Sequence, residues 1–397
     1  MLVRKAFRYR VYPTREQERR LVAWEGALRF LWNLALEQRK AGLSRPRDER
    51  VFPTAFDQIN ELTGLRAELP WLADVARNVC AQLLVELDKG WQRCFKKLSR
   101  PPRWKRKGRD FLGLTEPHPK VWRLDGGSLR FPKLGKLKVV VHRPLEGLAK
   151  SCTLRREGDQ WFVSILCELE VAKPAPKTEP VVALDRGVHN LIGDSDGTLV
   201  PNPAHLERAL KRLARAQRVV SRRKKGSKNR QKAIARVNRL HRKVRRQREH
   251  VLHTLSSAYA KSHGTVIVER LQISSMVRAN SGLARRILGS GWGRLVQMLS
   301  YKLAWQGGRL VEVPAAHSSQ TCSACGYVDA RSRAAQRFRC TSCGYLDHAD
   351  LNAARVLKSR ANRSALPLEG PLPESTRRKG KVVVLRVPRR HPQSPVL

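Results

Sequence analysis

Four cysteines in two closely spaced pairs constrain this chain more than any other feature. Cys322 and Cys325 are followed by Cys340 and Cys343 in the pattern C-x2-C-x14-C-x2-C. Each pair forms a tight knuckle that offers two thiolates to one ion, and the intervening length lets the second knuckle return to complete a tetrahedron. Four thiolates with no open position make a structural zinc site, so zinc is expected at these four residues. The spacer is one residue shorter than is usual for two such pairs. Four unrelated thiols or a redox pair are the alternatives, and two such pairs in a reducing compartment favour metal over both. Cys80, Cys94, Cys152 and Cys167 lie in apolar patterns and read as small core residues.

Carboxylates stand at informative places. Asp185 ends the apolar run VVALD, Glu269 ends TVIVE, and Asp350 begins the helical-looking run DLNAARVL. The carboxyl end of a buried strand is where sites collect in α/β sheets. Each acid taken singly has a simpler reading: a turn with Gly187 for Asp185, a pair with Arg270 for Glu269, an N-cap for Asp350. Jointly, two acid-ended strands and an acidic helix start predict one site. Three buried carboxylates repel one another unless a divalent cation resolves the repulsion. Mg²⁺ suits oxygen ligands, and two such ions roughly 3.5–4 Å apart activate a water and stabilise a leaving oxygen in phosphodiester hydrolysis. Asp347 rivals Asp350, and Asp194 and Asp196 read as turn formers.

Charge narrows the partner. The chain carries 80 Lys plus Arg against 33 Asp plus Glu, a net charge of +47 over 397 residues. Such a surface calls for a polyanion, and nucleic acid is the first choice. An anionic membrane competes, but the sequence shows neither an amphipathic basic helix with a broad apolar face nor an apolar run that spans a bilayer. MLVRKAFRYR lacks a hydrophobic signal core, so the expected location is the cytoplasm, on the nucleoid. For the oligomeric state the default is a monomer.

The order of elements reads β, then helical, then β again. AFRYRVYP alternates, with Phe7, Tyr9 and Val11 facing one way and Arg8 and Arg10 the other. Thr14 and Gln17 form a capping box, and helical pattern runs with breaks to about Leu98. SRPPRWKRKGRD is a basic loop; SLRFP, KLKVVVH, SCTLRRE and WFVSILCELE are strands. VAKPAPKTEP, residues 171–180, reads as an extended spacer. VVALDRGVHNLI and GTLV are expected to pair as one hairpin about GDSDG. Residues 206–250 hold 19 Lys or Arg against two Glu and read as a helical hairpin divided at GSKN. The strand TVIVE, a helix around Trp292 to Leu303 and the strand RLVEV follow. From about Ser359 a Pro-, Arg- and Lys-rich tail, 359–397, is expected to be disordered.

VALDRGV, IVERLQISSM, SSQTCSACGYV and FRCTSCGYLDHADLNAA resemble the three RuvC nuclease motifs and inserted zinc ribbon of the TnpB/OrfB family, transposon-encoded relatives of type V CRISPR effectors. FPKLGKLKVVVHRPLEG and FRYRVYPTREQERRL resemble it too, so the likeness covers about residues 3 to 358. It implies an α+β and α/β multidomain fold. A wedge β-barrel (1–14 and 105–172) is interrupted by a helical recognition insertion (15–104). An RNase H-like RuvC domain (173–358) follows, with a zinc ribbon at 318–346 and with Asp185, Glu269 and Asp350 as its metal-binding carboxylates. The implied activity is guide-RNA-directed cleavage of a double-stranded DNA target beside a short flanking motif. Arg8, Arg10, Trp104, Lys105, Arg106, Arg222, Arg223, Lys224 and Lys225 are the candidate nucleic-acid contacts, with a solvated basic face as the simpler reading. A transposase and a nuclease-inactive, RNA-guided repressor are the alternatives, and the presence of all three acids opposes the second. The family often has Gly-Ile-Asp where this chain has Ala-Leu-Asp-Arg, and nothing in the sequence explains Arg186.

Overall fold

A computed structural model gives the structure, which describes residues 1–46, 48–279 and 281–364. In β1 (Leu2–Tyr12) the alternation holds: Phe7, Tyr9 and Val11 are fully buried and Arg8 faces out. Thr14 caps α1 (Arg15–Ser44), accepting the Gln17 N–H at 3.2 Å while the Gln17 side chain accepts the Thr14 N–H at 3.0 Å. Leu21, Trp24, Leu28, Leu31 and Trp32 form the buried stripe of α1. α2 (Ala55–Glu68), α3 (Pro70–Ala73) and α4 (Arg77–Phe95) complete the helical insertion.

The chain then returns to the first sheet through β2 (Leu114–Glu116), β3 (Arg123–Asp125), β4 (Ser128–Phe131), β5 (Gly135–Val140), β6 (Leu148–Glu157) and β7 (Gln160–Glu170). The order is β2-β6-β7-β1-β5-β4-β3, so two edges stay unpaired and the sheet is a half-barrel. β1 therefore lies centrally although it comes first in the chain. Its apolar face shares one core with α1 and α4. The buried Glu25 of α1 meets Arg156 of β6 at 3.2 Å and ties insertion to sheet.

Segment 171–180 is irregular but is not a free spacer. Lys177 donates its N–H to the Gly307 carbonyl at 2.9 Å, and the Thr178 carbonyl accepts the Thr265 hydroxyl at 2.8 Å. Those bonds fix where the next strand starts.

The second sheet holds β8 (Val181–Asp185), β9 (Asn190–Asp194), β10 (Leu199–Pro201), β11 (Thr265–Arg270) and β12 (Arg309–Pro314), in the order β10-β9-β8-β11-β12. β8, β11 and β12 run parallel, and β9 and β10 antiparallel. The expected single hairpin is corrected here. VVALDRGVHNLI is two strands that break after Asp185, and only NLIGD pairs with LVP about the GDSDG turn. Arg186–His189 reverses the chain tightly: a Cβ on Gly187 would lie 2.5 Å from the Asn190 carbonyl oxygen. Asp194 is a turn former, accepting the Asp196 and Thr198 N–H groups at 3.1 and 2.7 Å.

α5 (His205–Arg222) and α6 (Lys228–Ser262) form the basic hairpin, with Ser227 accepting the Arg230 N–H at the start of α6. α7 (Ile273–Ala279), α8 (Ser281–Ser290) and α9 (Trp292–Ala304) link β11 to β12. Three short strands follow, β13 (Arg333–Ala334), β14 (Arg337–Arg339) and β15 (Leu346–His348), and then α10 (Ala349–Ser364). The disordered tail expected from Ser359 is corrected over its first part, since 359–364 continue α10; the rest lies outside the described residues.

Candidate active site and metal knuckle

Period-two alternation decides which face each acid takes. Val182, Leu184, Val266 and Val268 face the core that contains α9 and the C-terminal part of α6. Ala183, Ile267 and Val313 face the other way, against Leu357 and Ala361 of α10. Asp185 and Glu269 continue this second face, at neighbouring strand ends one step beyond the Leu184–Val268 pair. Asp350 precedes Leu357 by seven residues and Ala361 by eleven, so it shares their face of α10. Sheet and helix thus bring three acids that span 165 residues of the chain onto one buried face, near enough for their charges to act on one another.

All three are buried, with 8, 7 and 6% of their surface exposed for Asp185, Glu269 and Asp350. Burial, then the charges of Glu269 and Asp350, pushes the Asp185 carboxyl well above the usual carboxylate range. Burial also raises Glu269, against the pull of the Arg186 guanidinium. Asp350 accepts the Asn190 amide at 3.1 Å, and its N–H donates to His348 Nδ1 at 3.2 Å. β9 comes close enough for this because residue 193 is glycine: a Cβ there would lie 2.8 Å from that of Asp350. Arg333 of β13 pairs with Asp350 at 3.4 Å. Asp347 is turned away from the site and is held by Arg355 and the Tyr345 hydroxyl.

The thiols form a tighter set. The ligand atoms of Cys322, Cys325, Cys340 and Cys343 all lie within 4.8 Å of one another, the one such group among the described residues. The two knuckles share a pattern: Gly326 and Gly344 donate their N–H groups to the carbonyls of Cys322 and Cys340, at 3.0 and 3.1 Å. Both glycines have left-handed backbone, φ 78° and 74°, which a side chain would strain. Backbone N–H groups aimed at Cys340, that of Cys343 foremost, push its thiol down to about 6. The donor set fits a zinc ribbon. Buried Asn352 of α10 fastens it, accepting the Ser323 N–H at 2.9 Å and donating to the Thr321 carbonyl at 2.8 Å.

The candidate nucleic-acid residues fall in three places. Arg8 and Arg10 flank the Phe162 ring at 4.1 and 5.2 Å on the outer face of the half-barrel. Trp104, Lys105 and Arg106 lie along α1, where Lys40 stands over the Trp104 ring at 4.9 Å and Lys105 over Trp32 at 4.5 Å. Arg222, Arg223, Lys224 and Lys225 are exposed at the tip of the helical hairpin. Sequence reasoning placed further arginines on the basic hairpin but missed what they face. Arg242, Arg245 and Arg248 of α6 line a cleft of about 760 Å³ with Arg155 and Arg156 of the half-barrel. Their three-residue spacing was visible, but the facing strand was not. Asn190, His348 and Arg333 were also missed, since nothing local marks them as neighbours of Asp350.

A polycationic protein with a buried three-carboxylate site beside a thiol knuckle is the class that fold and site define. Comparison with known proteins is more specific. The OrfB_IS605 family, described as "Probable transposase", matches residues 164–280. "Cas12f1-like, TNB domain" matches 292–357, the stretch with the ribbon and the start of α10. "Helix-turn-helix domain" matches residues 1–45, which here hold β1 and one long helix. The chain is 34% identical to "Putative RNA-guided DNA endonuclease" of Streptomyces pristinaespiralis, over 98% of this chain and 97% of that one. It is 32% identical to the InsQ protein of Escherichia coli (strain K12), of the same designation, over 88% of this chain and 90% of that one. The chain belongs to the TnpB/OrfB family. Its fold is shared with Cas12f1 as solved in complex with sgRNA and target DNA, with a TM-score of 0.55 at 12% identity, over 90% of this chain and 98% of that one. No helix among the described residues is long and apolar enough to cross a membrane.

Proposed function

We propose that this protein is an RNA-guided, Mg²⁺-dependent DNA endonuclease of the RuvC type, encoded by a transposon, that cuts DNA beside a short flanking motif. The observation that carries the reading is the convergence of Asp185, Glu269 and Asp350 on one buried face, where burial and then the charges of the other two acids push Asp185 upward. Buried carboxylates in mutual repulsion are a donor set that fits hard divalent cations. The β10-β9-β8-β11-β12 sheet, antiparallel then parallel, with acids at the ends of β8 and β11, supports an RNase H-like core. The designations of the two relatives support the guide RNA and the DNA target.

Asp185, Glu269 and Asp350 would hold the metal. Two bound ions supply an activated water and charge stabilisation at the leaving oxygen. The chain's own residues orient the ligands: Asn190 fixes one oxygen of Asp350, and His348 fixes its backbone. The cationic cleft between half-barrel and α6 binds the phosphate backbone and leaves sequence choice to base pairing. We assign the wedge to 1–14 and 105–172, the recognition insertion to 15–104 and the nuclease domain to 173–358.

The test begins with RNA that co-purifies with the full chain: its sequencing should give one species with a defined 3′ end. A transposase needs no such RNA. Cleavage of a plasmid library with randomised flanks then separates a nuclease from a repressor. Asp185→Ala should abolish cutting and keep RNA-dependent DNA binding. Loss of both would make the acid structural.

A further inference from the structure

Arg186, directly after Asp185, is buried, with 3% of its side chain exposed. Its backbone N–H points at Glu269 Oε1 at 3.4 Å, and its guanidinium donates to the Glu269 backbone carbonyl. Its Nε stands 3.7 Å from Glu269 Oε1 and makes no hydrogen bond. A guanidinium with an unmet donor is costly to bury, and such burial persists only where surplus negative charge offsets it. Glu269, within ion-pair distance, and Asp185, the preceding residue, supply that surplus.

We propose that Arg186 is a resident counter-cation at the Glu269 end of the carboxylate site. It offsets part of the charge of Glu269, and of Asp185 beside it, before any divalent ion arrives, and it limits how much such an ion stabilises the fold. This inference rests on the reading of Asp185, Glu269 and Asp350 as metal ligands. A fixed positive charge beside Glu269 lessens the field that attracts Mg²⁺. Its removal leaves a more negative cluster that binds the ion more tightly but is less stable without it.

Thermal unfolding of the full chain, stripped of nucleic acid and titrated with Mg²⁺, tests this through linkage of binding to stability. Arg186→Met keeps length and apolar bulk. It should melt lower than the native chain without metal, gain more from Mg²⁺, and show an apparent Kd lower by about tenfold or more, the scale on which one adjacent charge acts. An equal Mg²⁺ response in native and Arg186→Met protein would overturn the inference and leave the metal site standing, provided Asp185→Ala abolishes the response. A native chain with no response to Mg²⁺ would remove the metal site itself and the inference with it. If Arg186→Met does not fold, Arg186→Lys decides. With the charge kept, its Mg²⁺ affinity should stay within about threefold of native, and a larger change would overturn the inference.

Discussion

The thiol knuckle and the carboxylate site are both candidate metal centres, yet they are built in opposite ways. The four cysteines lie within 22 residues, and two repeated glycine-ended turns bring their sulfurs within 4.8 Å. The three acids come from two strand ends and a helix start, and arginines share the space with them: Arg186 at Glu269 and Arg333 at Asp350. A thiol set closed by local turns is geometrically complete once those turns form. A carboxylate set depends on the whole second sheet, and fixed cations balance its charge. The two centres meet at α10, where Asn352 grips the ribbon two residues beyond Asp350.

Breaking the local centre should have the largest effect. Cys340→Ser is expected to release zinc and forfeit binding free energy on the order of 10 kcal/mol. The start of α10 should then lose its support and cutting should fall, which metal analysis and a plasmid assay would read together. Loss of zinc with unchanged cutting would sever the proposed link between the centres.

Next comes the charge of the distributed centre. A carboxyl whose native pKa lies above its unfolded value destabilises the fold once pH exceeds the ordinary carboxylate range, and the penalty fades as pH falls. Asp185 is such a group. Asp185→Asn should therefore raise metal-free stability at pH 7 by about 1–3 kcal/mol, measured by denaturant unfolding, while removing activity. A loss of stability would show that Asp185 is already compensated without metal.

Orientation should matter less. Asn190→Ala frees one oxygen of Asp350 and is expected to weaken Mg²⁺ binding roughly 10–100-fold, read from the Mg²⁺ dependence of cutting, with zinc content unchanged. Smallest of all, Asp347→Asn should cost under about 1 kcal/mol and leave cutting within a few-fold of native, because Asp347 pairs with Arg355 outside the site. A large loss there would make Asp347 the true third ligand.

Legibility followed locality. The strand over AFRYRVYP, the Thr14 cap, the basic hairpin and the cysteine pattern were all readable, because each depends on neighbours within a few residues. The expected hairpin of VVALDRGVHNLI failed because an apolar run looks continuous, whereas the turn at Arg186–His189 is set by close approach at Gly187. Proline and lysine content marks 171–180 as an extended spacer but is blind to its bonds with Gly307 and Thr265.

By itself the sequence determined where each acid and thiol stands: at the end of an apolar strand, at a helix start, in a knuckle. Its charge of +47 also made a polyanion the expected partner. Only the tertiary structure decided that Asp185, Glu269 and Asp350 share a face, and that Arg186 and Arg333 lie among them. Side-chain period fixes alternation along a strand but not which side a helix covers. That choice falls to long-range packing, when α10 closes over Ala183 and Ile267 and leaves the other face to α9.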